Sequence, residues 1–304
     1  MTKTAPKDPI LGDFRNFLYL AWKHLNLPDP TVVQYDISEY LQNCPRRSVI
    51  QAFRGIGKSW ICSAFVCWNL LRNPDLKFLV VSASKSRADD FSTFTKRLIT
   101  EMPILQKLIP RNDQRGSNVS FDVGLSRAAH SPSVKSVGIT GQLTGSRADF
   151  IISDDCESLN NSLTQGMRDK LTDSVKEFEA VLSPNGKIIF LGTPQSDMSV
   201  YNDLPQRGYD CRIWTARMPE KTKLNKYGNQ LAPFIKQGAF EDLEPIDPLR
   251  FNDLDLKERE ASYGRSGFAL QFMLDTSLSD RERYPLKLND LIVMDIDNTI
   301  APIK

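Results

Sequence analysis

The sequence predicts an α/β fold with a mainly parallel sheet flanked by helices and a small C-terminal subdomain. Three observations predict it. Short apolar runs alternate with helix-periodic segments from residue 48 to 191. One such run ends in a glycine-containing loop, Arg54-Gly55-Ile56-Gly57-Lys58-Ser59. A second, Asp149-Phe150-Ile151-Ile152-Ser153, ends in the acidic cluster Asp154-Asp155-Cys156-Glu157. Apolar strands alternating with helices form parallel sheets covered on both faces, and such sheets bind ligands at the carboxyl ends of their strands.

Taken in order, apolar spacing predicts a helix over 14–25, ended by Leu27-Pro28-Asp29-Pro30. Thr31 is placed to cap a helix over 32–41. Strand 48–53 leads into helix 58–72, strand 77–82 into helix 86–101. The polar stretch 110–147 holds short strands near 119–123 and 134–139. Strand 149–153, helix 163–182 and strand 187–191 complete the regular part. Beyond Gln195 the pattern weakens: 207–226 is rich in Lys and Arg, 253–274 reads as one or two helices, and 291–294 as a final apolar strand. The expected divisions are an N-terminal helical segment (1–30), a core (31–215), a small lid or linker subdomain (216–280) and a linker (281–304).

The 304 residues are 40% hydrophobic, enough for a sizeable core, and carry a net charge of only +2 with a pI near 8.2. That balance neither demands nor excludes nucleic acid. The five cysteines form no C-x-x-C pair and are odd in number, which points to reduced, buried thiols. With only two histidines, a His-rich metal site is not expected. No apolar run approaches the ~20 residues of a membrane span, and the N-terminus has no signal core, so a soluble intracellular protein is expected.

The glycine loop is a phosphate-binding loop. Its consensus is G-x-x-x-x-G-K-[ST], and the first glycine is replaced here by Ala52. Glycines let backbone N–H groups close on a polyphosphate, with the phosphates at the N-terminus of the following helix. Lys58 would reach the β- and γ-phosphates, and Ser59 would bind Mg²⁺. Arg54 is either a further phosphate contact or a solvated loop cation. Asp154, at a strand end, fits the role of holding Mg²⁺. Asp155 or Glu157 would activate the attacking water, Asp155 being favoured by position. Each motif alone has a plain structural reading, a strand-to-helix turn or an acidic turn. Together they need each other, and they define a P-loop NTPase core of the RecA/ASCE type. A third strand ends in Gly192-Thr193-Pro194-Gln195, where a polar residue could sense the γ-phosphate.

The chain resembles the large terminase subunit of short-tailed, T-odd coliphage-type viruses. The resemblance covers nearly the whole chain. It is strongest at Gln51–Ser59, at the long stretch from Ser131 through Gly138-Ile139-Thr140-Gly141-Gln142-Leu143-Thr144-Gly145-Ser146-Arg147 to Asp149, and at Leu191-Gly192-Thr193-Pro194-Gln195. It implies a motor that hydrolyses ATP with Mg²⁺ and translocates double-stranded DNA into a procapsid. It accounts for Ala52 and Arg54, since the family tolerates a deviant loop carrying an arginine. It implies that Gln34 reads adenine, that Thr193 couples hydrolysis to motion and that Arg147 stabilises transition-state charge in cis or in trans, with Arg111 and Arg115 as rivals. The nucleotide-binding set is then Gln34, Arg54, Gly55, Ile56, Gly57, Lys58, Ser59, Trp60 and Thr193. Implied partners are viral DNA, the portal protein and the small terminase subunit, with a homo-oligomeric ring on the portal. The implied location is the host cytoplasm, not the mature virion and not a membrane.

The family's C-terminal nuclease motifs are expected beyond residue 304, so endonuclease activity is not expected here. Asp295 and Asp297 read as linker. Candidate DNA-contacting cations are Lys85, Lys96, Arg97 and the segments 110–147 and 207–226. A helicase would need a second RecA-like domain, which the residues after Gln195 do not suggest. A non-hydrolysing nucleotide-binding assembly protein would leave the acidic cluster idle. A small-molecule kinase usually carries its loop nearer the N-terminus.

Overall fold

The computed structural model describes residues 8–278, apart from 144 and 197. The expected strand 291–294, Asp295 and Asp297 lie outside the described residues. The structure centres on a seven-stranded sheet. In chain order its strands are β1 (Arg47–Ala52), β2 (Phe78–Ser82), β3 (Ser120–Phe121), β4 (Val134–Gly138), β5 (Ala148–Asp154), β6 (Leu182–Gly192) and β7 (Asp210–Trp214). Their spatial order is β3-β4-β2-β5-β6-β1-β7. All neighbours are parallel except the edge pair β3 and β4.

Burial explains the sequence pattern. Every residue of β2 is buried, as is β1 after Arg47, because helices cover both faces of the central strands. Near the edge, β4 alternates buried and half-buried residues. The helices are α1 (Pro9–Gly12), α2 (Phe14–His24), α3 (Val32–Asn43), α4 (Lys58–Arg72), α5 (Lys85–Glu101), α6 (Leu159–Ser162), α7 (Gln165–Val181), α8 (Val200–Asp203), α9 (Pro233–Gln237) and α10 (Asp253–Phe268). Helix α4 is apolar around most of its girth and is buried from Ile61 to Leu70. Helix α2 inserts Phe14 and Phe17 into the same core, with Phe14 against Phe65 and Trp68 at 5.4 Å each. The segment before residue 30 therefore shares the main core.

Strand register brings the functional tips to one level. Ser82 faces Asp154, Asp154 faces Leu191, and Gly192 faces Gln51. Strand β6 lies between β1 and β5, so its tip at Thr193 falls between the phosphate loop and the acidic turn.

Strand β7 was not expected from sequence. It follows a turn at Gly208 and pairs with β1 as an edge strand. The expected helical region 253–274 is broken at Gly264 (φ 70°) and passes into a π-helical turn, Ala269–Met273. The five cysteines are free and buried, as expected. Among the described residues, no helix is long and apolar enough to cross a membrane.

Candidate functional site

The loop between β1 and α4 is shaped by two glycines in the left-handed region, Gly55 at φ 91° and Gly57 at φ 92°. Residues with a Cβ adopt such angles at a cost, which favours glycine at both positions. Gly57 caps α4 without a side-chain hydrogen bond. The first N–H groups of α4 thus have no capping acceptor and open onto the cleft, an arrangement suited to an anion. Ile56 is fully buried and anchors the loop in the core. Its carbonyl accepts from Gln34 Nε2 at 2.8 Å.

Gln34 is buried, with 3% of its surface exposed, and it is the N3 residue of a capping box. Its Oε1 accepts from Thr31 N at 3.1 Å, while Thr31 Oγ1 accepts from Gln34 N at 3.3 Å. One amide hydrogen and one lone pair remain for a ligand. Its first duty is to tie α3 to the phosphate loop.

Lys58 donates from Nζ to Ala52 O, across the base of its own loop. Burial lowers its ammonium below the usual lysine range, while Asp155 and Asp154 oppose that shift. Ser59 donates from Oγ to Asp154 Oδ1 at 3.0 Å, joining loop to acidic strand across 95 residues. Burial raises the Asp154 carboxyl to about 7, helped by the neighbouring Asp155 charge and opposed by Ser59, Lys58 and Arg87. A buried carboxylate so destabilised calls for a cation.

The donor set fits Mg²⁺. Ser59 and Asp154 offer hard oxygen ligands, and no cluster of three or more His, Cys, Asp or Glu able to hold a metal occurs among the described residues. Mg²⁺ with nucleotides typically takes one or two protein oxygens, its remaining positions being filled by phosphate and water.

The two candidate bases are placed very differently. Asp155 adopts a left-handed φ of 46°. Its peptide is pinned between the ends of β6 and β2, since Asp155 N donates to Leu191 O at 2.8 Å and Asp155 O accepts from Ala83 N at 3.2 Å. Its side chain lines the cleft. Glu157 is buried, 3% exposed, and both its oxygens are engaged. Oε1 accepts from Gln195 N at 3.2 Å, and Oε2 from Ser199 Oγ at 2.7 Å and Val200 N at 2.8 Å. Glu157 thus clamps the acidic turn to the loop after β6. Burial raises its carboxyl, against those three hydrogen bonds.

The cleft encloses about 1170 Å³. It brings together Gln34, Arg54, Gly55, Gly57, Lys58, Ser59, Trp60, Asp154, Asp155, Glu157 and Thr193. Trp60 lies on its wall against Phe94, ring centroids 5.0 Å apart. Arg54 is exposed, its N–H donating to Gln271 O at 2.9 Å.

Arg147 is not brought to this cleft. It precedes β5, whereas Asp154 ends it. About 20 Å of strand separates them, at ~3.3 Å per residue. Its guanidinium donates to Ala180 O. Arg115 is held by Asp122 at 2.9 Å and by the carbonyls of Ala129 and His130, and Arg111 donates to Gly124 O. Lys85, Lys96 and Arg97 are each engaged locally, by Asp89, Gly116 O and Glu101. Among the cleft residues that sequence reasoning missed are Arg87, Arg250 and Gln271. No local motif marks them, because the fold brings them in from α5 and from the C-terminal segment.

This fold and site define a P-loop NTPase. A family model described as "Terminase large subunit, T4likevirus-type, N-terminal" matches residues 50–202. The large terminase subunit of Enterobacteria phage T3 is 52% identical over 302 residues, covering 96% of this chain and 52% of that protein. A point-mutant form of the large terminase ATPase domain of Thermus phage P74-26 aligns with a TM-score of 0.51 at 14% identity, over 84% of this chain and 96% of that domain, a likeness of fold. The chain belongs to the terminase large-subunit family. It spans about half the length of the curated relative it matches.

Proposed function

We propose that this chain hydrolyses ATP and uses the energy to translocate double-stranded DNA into a viral procapsid. The observation that carries the reading is the Ser59–Asp154 hydrogen bond at the mouth of the phosphate loop, with Asp155 beside it and Thr193 between the two strand tips.

Lys58 and the loop N–H groups would neutralise phosphate charge. Ser59 and Asp154 would hold Mg²⁺, which supplies charge neutralisation on the phosphates when bound. Asp155 takes the base role: both acids line the cleft, but both oxygens of Glu157 are engaged by three hydrogen bonds, whereas none to the Asp155 carboxylate occurs among the described residues. Gln34 would present its remaining donor and acceptor to adenine. Thr193 would sense the γ-phosphate, and Glu157 would carry that signal into α8 through Gln195, Ser199 and Val200. DNA contacts would go to phosphates, since a motor must ignore sequence.

The reading includes a portal and a small terminase subunit as partners, a homo-oligomeric ring, and action in the host cytoplasm during assembly. The 216–280 region would serve as a lid and linker. The test is ATP turnover with and without DNA, portal and small subunit. Lys58→Ala is expected to abolish turnover with the fold intact. Wild-type turnover in that variant would remove the site assignment, and processive duplex unwinding by the isolated chain would favour a helicase.

A further inference from the structure

The C-terminal segment reaches back over the phosphate loop at three points. Phe251 covers Gly55, where a Cβ would stand 2.8 Å from its ring. Gln271 O accepts from Arg54 N at 2.9 Å. Arg250 donates from Nε to Gly55 O at 2.9 Å. The turn bearing Arg250 is itself built in. Asp247 is buried, and its carbonyl accepts from the N–H groups of Arg250 and Phe251 at 3.0 and 2.9 Å. Its Oδ2 accepts from the Thr31 hydroxyl at 2.6 Å. Thr31 in turn caps the helix whose Gln34 holds Ile56 O. Neighbouring carbonyls of the loop are thus gripped by side chains from opposite ends of the chain.

Arg250 also lines the cleft. Among the described residues its one side-chain hydrogen bond is the one from Nε to Gly55 O; its guanidinium lies 6.0 Å from the Phe251 ring centre and its charge reaches the Asp247 carboxylate, without a salt bridge to it. An arginine needed only to hold one carbonyl uses one of its five N–H donors. Here the other four are left on a guanidinium fork at the wall of a phosphate cleft, the geometry that suits phosphate oxygens.

We infer that Arg250 is a polyphosphate ligand presented in cis by the C-terminal segment, its Nε held on Gly55 O and its terminal nitrogens given to the phosphates of a nucleoside triphosphate. Binding of the nucleotide then locks the 247–251 turn onto the loop. This rests on the nucleotide reading above.

The test is equilibrium binding of a magnesium complex of a non-hydrolysable ATP analogue to the full chain and to Lys58→Ala, Arg250→Gln and Arg250→Lys. Hydrogen exchange of the 250 and 251 amides is the second readout. Arg250→Gln keeps a donor for Gly55 O but loses the charge, so a purely structural strut would survive it. The inference expects at least a ten-fold loss of affinity in Arg250→Gln, about the worth of one charge-assisted hydrogen bond. It expects a smaller loss in Arg250→Lys, and analogue-dependent slowing of exchange in the wild type that Arg250→Gln lacks. Affinity within two-fold of wild type in Arg250→Gln, alongside impaired Lys58→Ala, overturns the inference and leaves the nucleotide site standing. Undiminished binding in Lys58→Ala overturns the site itself. If Arg250→Gln fails to melt cooperatively, Arg250→Lys decides: unchanged affinity and unchanged exchange protection overturn the inference.

Discussion

Asp155 and Glu157 stand two residues apart, yet they carry different physics. Asp155 occupies a left-handed backbone position that asparagine also tolerates, and among the described residues its carboxylate accepts no hydrogen bond. Asp155→Asn is therefore expected to melt like the wild type while ATP turnover falls by about 10²-fold or more, the worth of a positioned base. Glu157→Gln replaces one saturated acceptor oxygen with a donor that faces other donors. Its expected signature is a loss of about 1–3 kcal/mol in denaturant unfolding. If Glu157→Gln unfolded like the wild type but lost turnover as Asp155→Asn should, the two roles would have to be exchanged. Asp154 gives a further check in metal-free solution. Its carboxyl titrates near 7 in the fold against 3.8 unfolded. The folded chain therefore binds the proton more tightly between those values. Stability from this group is highest below pH 3.8, falls as pH rises through the window, and is lowest above about 7. Asp154→Asn should remove that fall. Thermal melts should show it more stable than wild type at pH 8, by an amount on the order of a kcal/mol or more, with little difference near pH 4. Equal pH profiles for the two proteins would mean that Asp154 is not strained by burial.

At the scale of elements, the tip of β6 is bolted to the acidic turn from above. Tyr201 lies over Gly192, where a Cβ would sit 2.1 Å from its ring, and its hydroxyl accepts from Cys156 N at 3.1 Å. The clamp from Glu157 and this tyrosine together fix the loop carrying Thr193. Gly192→Ala is expected to cost about 1–3 kcal/mol by overpacking. Much of that loss should be recovered when Tyr201→Leu is added, a coupling that a double-mutant cycle in urea would measure. Simple additivity would show that the contact is not what makes Gly192 necessary. These contacts also mark the limit of what the sequence reveals. The strands leading to Ala52, Ser82, Asp154 and Gly192 are short apolar runs, legible because burial on both faces removes polar alternation. β7 was not legible, because Asp210-Cys211-Arg212-Ile213-Trp214 mixes polar and apolar residues as an edge strand can. Glu157 looked like a base because it sits in an acidic run, and only the fold shows its oxygens filled from residues 195–200. Arg250 and Gln271 carry no local signal at all. They matter because the chain returns to the loop some two hundred residues later.

For the whole molecule, the decisive geometry is that the strands have their carboxyl ends at the cleft and their amino ends on the opposite side of the sheet. Ser82, Asp154 and Gly192 share the first; Arg147 lies at the second, at the start of β5. An extended arginine side chain spans well under the ~20 Å of strand between them. Arg147 therefore cannot serve the phosphate cleft of its own chain, and any transition-state role must be played on a neighbour. In a ring with head-to-tail interfaces, one face of each subunit meets a different face of the next, so opposite ends of the strands can be brought together. If Arg147 is such a trans-acting cation, turnover per chain should rise with protein concentration or with assembly on a portal, and Arg147→Ala should lose that rise. Complementation is the sharper form. Arg147→Ala keeps an intact cleft but has no cation to lend, whereas Asp155→Asn keeps the cation but has no base. Each assembled alone should be nearly inactive, with losses of about 10³-fold for the missing arginine. Mixed, the arginine of one subunit should serve the cleft of the other and restore a substantial fraction of turnover. Wild-type turnover in assembled Arg147→Ala would remove Arg147 from the mechanism. An inactive mixture of two chains that demonstrably co-assemble would show that it acts on structure rather than across the interface.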